Sequence, residues 1–209
     1  MQKYAKELLG ALRSVIDSPV CELDYNNTYE LLVAVILSAQ CTDKRVNMVT
    51  PELFAKYPTV QDLAMADLLE VERIIRPCGT FRIKAKNIIN ASKMIVNEMQ
   101  GVVPQDMDKL TSLPGVGRKT ASVVLAVGYN IPAMPVDTHI LRVANRLGIV
   151  SSDDPKVVED KLKEVFDKKD WIELHHLILL FGRYYCKAIG YRCEGCKLQH
   201  LCKYKAKNR

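Results

Sequence analysis

The chain reads as an all-α protein. Three observations predict this. Apolar residues recur at intervals of three and four over most of the length, and the segments so marked open at cap-forming residues and close at glycine or proline. No stretch shows the sustained two-residue alternation of a strand. At 209 residues the chain can form one domain or two small ones and bury a real core. Its apolar (48%) and charged (26%) fractions are those of an ordinary soluble globule, and a net charge of +6 favours a polyanionic partner. The longest apolar run, Leu31 to Leu37, is too short to span a bilayer. The N-terminus, Met1-Gln-Lys-Tyr-Ala-Lys-Glu, mixes charges without a hydrophobic signal core, so the chain is read as not exported.

Taken in order, Tyr4, Leu8, Leu12, Val15 and Ile16 place an amphipathic helix over residues 1–17, stopped near Pro19. Asn27 with Glu30 has the form of a capping box, opening a helix over 29–39 that is apolar on nearly every side and hence buried. Thr42 caps a helix over 43–55. Thr59 with Asp62 opens a short segment, and 66–75 forms the next helix, broken before Pro77 and Gly79. Phe81, Ala85, Ile88, Ser92, Ile95 and Met99 make the inner stripe of a long helix stopped by Gly101, with Lys84, Lys86 and Lys93 outside it. A short helix over 107–113 leads into Pro114-Gly-Val-Gly117, too much punctuation for anything but a tight turn, and a helix over 118–127 follows. Asp137 or Thr138 caps a helix through Leu147 that Gly148 stops. Asp154-Pro155 starts a helix to about Phe166, and a last one covers 171–185.

Chemistry gathers in residues 113–139. Lys119 falls in the first turn of its helix, where free N–H groups and aligned dipoles disfavour a cation by about 0.3–1 kcal/mol. Gly-rich turns feeding a helix N-terminus instead suit phosphate oxygens. A plain connector needs one glycine, whereas Gly115 and Gly117 around Val116 leave several backbone N–H groups exposed together; connector and anion cradle both fit. Asp137 is an N-cap in either case. Near Lys119 it also completes a Lys–Asp pair suited to nucleophilic and acid–base chemistry. Bringing a lysine pKa from about 10.4 to about 7–8 takes roughly 3–5 kcal/mol. The helix end supplies about 1 at most, and Asp137 opposes it, so a desolvating pocket must do the rest.

Cys186, Cys193, Cys196 and Cys202 form the pattern C-x6-C-x2-C-x5-C. In a chain that keeps its thiols reduced, such a foursome argues for metal over disulfides. Structural zinc sites usually pair two C-x2-C knuckles across a longer loop. One such pair in a short loop fits a compact [4Fe–4S] cube better, with zinc the alternative. Lys187, Arg192 and Lys197 in the loop, and Lys203, Lys205 and Lys207 after it, would face phosphate if the loop wraps a cluster. Cys21, Cys41 and Cys78 read as buried apolar fillers. His139, His175, His176 and His200 show no ligand pattern and read as structural.

Leu113-Pro-Gly-Val-Gly-Arg-Lys-Thr-Ala, Val136-Asp-Thr-His and the cysteine pattern, in this order, closely resemble the endonuclease III family of helix–hairpin–helix DNA glycosylases over essentially the whole chain. The resemblance implies two helical domains: a six-helix barrel over 21–132 that contains the hairpin, and an iron–sulfur domain formed by 1–20 with 133–209. DNA would lie across the cleft between them. It implies a monomeric base-excision-repair glycosylase with AP lyase activity, cytoplasmic in a bacterium, acting on double-stranded DNA with an oxidised pyrimidine or abasic site. A [4Fe–4S] cluster on the four cysteines would be structural and DNA-binding. By motif position Lys119 is the nucleophile and Asp137 the essential carboxylate. The damaged nucleotide is flipped out, because its sugar carbon is unreachable inside the stack. Lys119 attacks C1′ as the base leaves, a Schiff base forms, and β-elimination breaks the strand 3′ to the site.

The same resemblance assigns Gln40 to the hole left by the flipped nucleotide. Gly115, Val116, Gly117 and Arg118 become the phosphate-reading hairpin, and His139, Lys187 and Arg192 further DNA contacts. One departure stands out. After Cys78-Gly79, where relatives often carry a bulky apolar wedge, this chain has Thr80 and then Phe81, so either Phe81 wedges or opposite-base preference is altered. Two other readings remain. A monofunctional mismatch or adenine glycosylase of the same fold generally lacks lysine at this position. A non-catalytic iron–sulfur DNA-binding or redox-sensor protein would have no reason to keep both Lys119 and Asp137.

Overall fold

The computed structural model describes residues 2–204; Met1 and residues 205–209, with Lys205 and Lys207 of the basic tail, lie outside them. Among the described residues the chain is helical without any strand, and no helix is long and apolar enough to cross a membrane. It divides into two compact units, residues 22–131 and residues 1–21 with 132–209.

The first of these holds α2 (Thr28–Ser38), α3 (Asp43–Lys56), α4 (Val60–Ala64), α5 (Leu68–Ile74), α6 (Phe81–Glu98), α7 (Met107–Ser112) and α8 (Arg118–Val123). Every residue of α2 from Tyr29 to Leu37 is buried, as its all-round apolar sequence requires. Asn27 caps α2 by accepting from the Glu30 N–H at 3.0 Å. The expected reciprocal bond is displaced, since the Glu30 carboxylate accepts from the N–H and Nδ2 of Asn26 rather than from Asn27. Thr59 and Asp62 form the complete box at α4.

Lys84 corrects the sequence reading. It is buried, and its Nζ donates to the Leu37 carbonyl at 2.8 Å, supplying a donor to the unsatisfied C-terminal end of α2. Helical arithmetic explains why: position 84 stands four residues before Ile88 on the inner stripe. A second difference lies in α8, whose regular turns end at Val123 and continue as a π-helical turn over Val124–Gly128. A Cβ on Gly128 would fall 3.0 Å from Leu31 Cδ2, so glycine lets this turn press against α2.

The other unit contains α1 (Gln2–Arg13), α9 (Thr138–Leu147), α10 (Pro155–Val165), a 3-10 turn over Lys168–Asp170 and α11 (Trp171–Tyr184). α1 ends four residues earlier than its apolar stripe suggests. The N–H groups of Val15 and Ile16 both bond the Leu12 carbonyl, and the Ser14 hydroxyl donates to Ala11, which curls the chain out of helix. Leu8, Leu12, Ile140, Val143, Leu174, Leu177 and Ile178 interlock as the core.

His175 and His176 are buried in α11, the structural role expected of them. Nδ1 of His176 has no partner. Burial, with Arg183 nearby, pushes its pKa from the ordinary 6.5 down to about 4. Above pH 6.5 the ring is neutral in both folded and unfolded chains. Between pH 6.5 and about 4 only the unfolded chain takes up the proton, so stability falls with falling pH, by roughly 3 kcal/mol in all. Denaturant midpoints measured between pH 7 and 4 should drop more steeply for the natural chain than for His176→Leu. Parallel curves would refute this account of His176.

Candidate active site

The hairpin between α7 and α8 is built by two glycines with separate tasks. Gly115 has φ +79°, and a Cβ there would fall 2.8 Å from Asn87 Nδ2 on α6 and 3.0 Å from Asn87 Cβ, so conformation and packing both exclude a side chain. Gly117 is the N-cap of α8 in extended backbone (φ −88°), and a Cβ there would meet nothing within 4 Å. It keeps the surface open rather than the chain bent. Between them Val116 is buried, and its N–H donates to the Leu113 carbonyl at 3.1 Å. The Val116 side chain therefore anchors the turn, leaving only its backbone near the surface.

No side chain caps α8, and its first turn carries no acid. Arg118 and Lys119, both exposed, stand there instead. A lysine at the positive end of a helix is electrostatically costly. Lys119 is exposed in the free protein, so the desolvating surroundings its chemistry calls for are not supplied by the helix end.

Two further candidates meet on the same unit. Gln40 (φ +52°) and Thr80 (φ +54°) both adopt left-handed backbone without being glycine, and both are exposed. Such conformations cost about 1–3 kcal/mol and cluster at functional sites. The two turns adjoin, because a Cβ on Gly79 would sit 3.6 Å from the Gln40 carbonyl oxygen. The Thr80 hydroxyl donates to the Gly79 carbonyl at 2.7 Å. Phe81 is half-buried as the first residue of α6, with the Arg82 guanidinium 5.1 Å above its ring. Thr80, not Phe81, is thus the residue at the exposed tip.

In the other unit Asp137 caps α9, and its Oδ1 accepts from the N–H groups of His139 (2.9 Å) and Ile140 (2.8 Å). This fixes the carboxylate and leaves Oδ2 outside the cap. The preceding segment is held too, with Nδ1 of buried His175 3.0 Å from the Pro135 carbonyl. Burial, with Arg142 and Arg183 nearby, lowers the His139 pKa against the opposing pull of Asp137. Neutral His139 can accept through Nδ1 from Arg142 Nη2, 3.2 Å away. Arg142 Nη2 also donates to the Gly182 carbonyl at 2.8 Å, and a Cβ on Gly182 would lie 3.0 Å from the His139 Cβ, so glycine there lets α9 and α11 touch.

Cys186, Cys193, Cys196 and Cys202 line one cavity of about 1340 Å³ with Arg146, Tyr191 and Tyr204. No three His, Cys, Asp or Glu side chains among the described residues make a ready single-ion site. Burial raises the Cys202 pKa, and the other three thiols raise it further, a sign of sulfurs facing one shared space. Arg146 went unnoticed in the sequence, where it reads as an ordinary cation in the last turn of α9. Its Nη1 donates to Cys186 Sγ at 3.2 Å and to the Lys187 carbonyl at 2.7 Å, while its guanidinium stacks 4.2 Å from the Tyr191 ring and 4.9 Å from Tyr204. Lys187 and Arg192 are exposed as expected. Lys197 is exposed too, and its Nζ donates to the Ser14 carbonyl at 2.7 Å. Of the remaining cysteines, Cys78 is buried but Cys21 and Cys41 are only half-buried, so two of the three expected fillers are not core residues.

The family profile described as HhH-GPD superfamily base excision DNA repair protein matches residues 33–168. Endonuclease III of Bacillus subtilis is 50% identical over 184 residues, 88% of this chain and 84% of that protein. The chain belongs to the endonuclease III family of the HhH-GPD superfamily. Endonuclease III of Synechocystis sp. is 47% identical over 202 residues, 96% of this chain and 92% of its own length. A solved structure described as a trapped endonuclease III–DNA covalent intermediate matches with a TM-score of 0.92 at 44% identity, covering 97% of this chain and 96% of that one.

For a family member the two hairpin glycines make opposite predictions. Gly115→Ala should cost about 1–2 kcal/mol of stability from its left-handed backbone alone. Gly117→Ala should leave stability within about 0.5 kcal/mol yet weaken binding to duplex DNA, because the new methyl stands on the open face. Denaturant titration and a gel-shift assay separate the two. Unchanged DNA binding by Gly117→Ala would show that this face is not used.

Proposed function

We propose that this chain, a base-excision-repair DNA glycosylase by its family, removes oxidised pyrimidines through a Schiff base on Lys119 and then cleaves the strand as an AP lyase. The observation that carries the reading is the placement of Lys119 in the first turn of an uncapped helix, two residues after an open glycine. The covalent intermediate described for the related endonuclease III supports it, since covalent attachment needs a nucleophile of this kind. Phosphate oxygens would take the uncapped N–H groups of α8 and offset the Lys119 charge in its first turn. DNA itself would then bury Lys119 and strip it of water, which the free protein does not do.

Flipping brings the lesion sugar to the amine. The lone pair of Lys119 Nζ attacks C1′, and the C1′–N bond to the base breaks, with the base taking a proton. Opening of the sugar ring gives the imine. Only an amine yields this species, whose electron demand acidifies the C2′ proton; loss of that proton expels the 3′ phosphate. Asp137, with Oδ1 committed to the cap, would use Oδ2 to move protons and to stabilise the positive charge developing on the sugar. Gln40 and Thr80 are proposed to fill the space the nucleotide vacates, and the small Thr80 side chain makes opposite-base discrimination weaker than an apolar wedge would.

A [4Fe–4S] cluster is proposed on Cys186, Cys193, Cys196 and Cys202. The fit rests on four soft thiol donors lining one cavity, with Arg146 already donating to one sulfur as second-sphere partners do. Its contribution would be structural, fixing Lys187 and Arg192 toward phosphate, and no step of the reaction passes through it.

Borohydride should trap a covalent complex between the protein and duplex DNA bearing an abasic site, and Lys119→Gln should abolish it; trapping that survives the substitution sinks the assignment. Asp137→Asn is the sharper companion, because asparagine caps as well as aspartate. Stability should hold within about 0.5 kcal/mol while base release slows by roughly 10²-fold or more. The purified protein should absorb near about 400 nm through thiolate–iron charge transfer, with the band lost in Cys202→Ser. A colourless protein with stoichiometric zinc would replace the cluster.

A further inference from the structure

The fold brings together two cysteines that lie outside the cluster loop. Cys41 follows α2 and Cys78 follows α5; the Gln40 carbonyl just before Cys41 lies against Gly79 just after Cys78, and the two thiols are near enough that Cys41 raises the Cys78 pKa. Cys78 is buried, whereas Cys41 is half-buried and within reach of a small oxidant. The pair lies among positive charge. Cys41 stands one residue before the Thr42 cap of α3, at the positive end of a 14-residue helix dipole. Arg45 in the first turn of α3 and Lys84 of α6 both favour the thiolate at Cys78, against burial and the Cys41 neighbour, which together push it up to about 11. Cys78 therefore keeps its proton, as a resolving thiol does, beside the more exposed Cys41.

Each cysteine also adjoins a strained turn. Cys41 directly follows Gln40, and Cys78 lies two residues before Thr80, the two left-handed non-glycine residues whose turns meet through Gly79 and the Gln40 carbonyl. We propose that Cys41 and Cys78 form a redox-sensitive dithiol, oxidised to a disulfide by a hydroperoxide, that weakens the grip on lesion-bearing DNA by displacing the Gln40 and Thr80 turns. The DNA half of this statement rests on the role given to those two turns above.

The chemistry balances. The Cys41 thiolate attacks one peroxide oxygen, the O–O bond breaks, and the departing alkoxide takes a proton to leave as alcohol, giving Cys41 sulfenic acid. Cys78 sulfur attacks that sulfur, the S–S bond forms, the S–O bond breaks, and hydroxide leaves as water with the Cys78 proton. Two thiols and one hydroperoxide give one disulfide, one alcohol and one water; the sulfurs lose two electrons and the peroxide gains them. Drawing the sulfurs from non-bonded separation to covalent distance pulls on both turns at once. Their backbones are already in sparsely allowed conformations and have little room to yield.

The test uses full-length, cluster-loaded protein treated with hydrogen peroxide at doses that leave the visible absorbance of the cluster intact. Non-reducing digestion and mass spectrometry should find the peptides of Cys41 and Cys78 joined, lighter by two hydrogens, with Cys21 unlinked. Affinity for a duplex carrying a tetrahydrofuran abasic analogue should fall by about fivefold or more and recover with dithiothreitol. Cys78→Ser and Cys41→Ala should bind like the untreated natural chain and ignore peroxide. Absence of the linked peptide while the cluster band holds overturns the dithiol. A linked peptide with unchanged affinity overturns the switch, as does equal peroxide sensitivity in both variants. Linkage is read by mass alone, so an untreated protein that does not bind the duplex would count against the DNA reading and not against the dithiol.

Discussion

The docking of α9 on α11 is the constraint on which the unit holding Asp137 and the cysteine loop depends. Helix α9 spans ten residues, about 15 Å at 1.5 Å per residue. Its first turn is closed by the Asp137 carboxylate, and its last turn carries Arg146 onto the Cys186 sulfur. Gly182 permits the close approach, Arg142 spans it to the Gly182 carbonyl, and His175 fixes the segment leading in. A carboxylate that served only as a cap could be any of several residues. Aspartate suits this place because one oxygen satisfies the helix while the other stays outside that bond.

Strain and charge collect at the residues proposed to meet DNA. Lys119 faces an uncapped helix end, and Gln40 and Thr80 occupy left-handed backbone without the freedom of glycine. Each of these costs the free protein on the order of 1 kcal/mol. In the proposed function an arriving polyanion would offset the first, and contacts at the two turns would offset the others. The folded core supports them: the buried Lys84 amine closes the end of α2 immediately before Gln40, and buried Val116 anchors the hairpin.

The seven cysteines separate by environment rather than by spacing alone. Four share one cavity with cationic and aromatic neighbours, while Cys41 and Cys78 flank the contact between two surface turns. The sequence distinguished only the clustered foursome from the scattered three, because the pairing of Cys41 with Cys78 depends on how α2 and α5 end side by side.

Sequence alone determined the all-helical class, most helix starts, the hairpin, the Lys119 and Asp137 motifs and the cysteine loop. These are local: caps, glycine punctuation and apolar periodicity act within a few residues, so they are legible without the fold. Tertiary structure decided what position along the chain cannot encode. Lys84 turned inward because an unsatisfied carbonyl waited at Leu37. Arg146 became a partner of the cysteine loop because α9 ends beside it. The glycines at 115 and 117 took different tasks because Asn87 fills the space beside one and nothing fills the space beside the other. Each of these outcomes rests on a neighbour distant in sequence, and only packing of the helices against one another selects that neighbour.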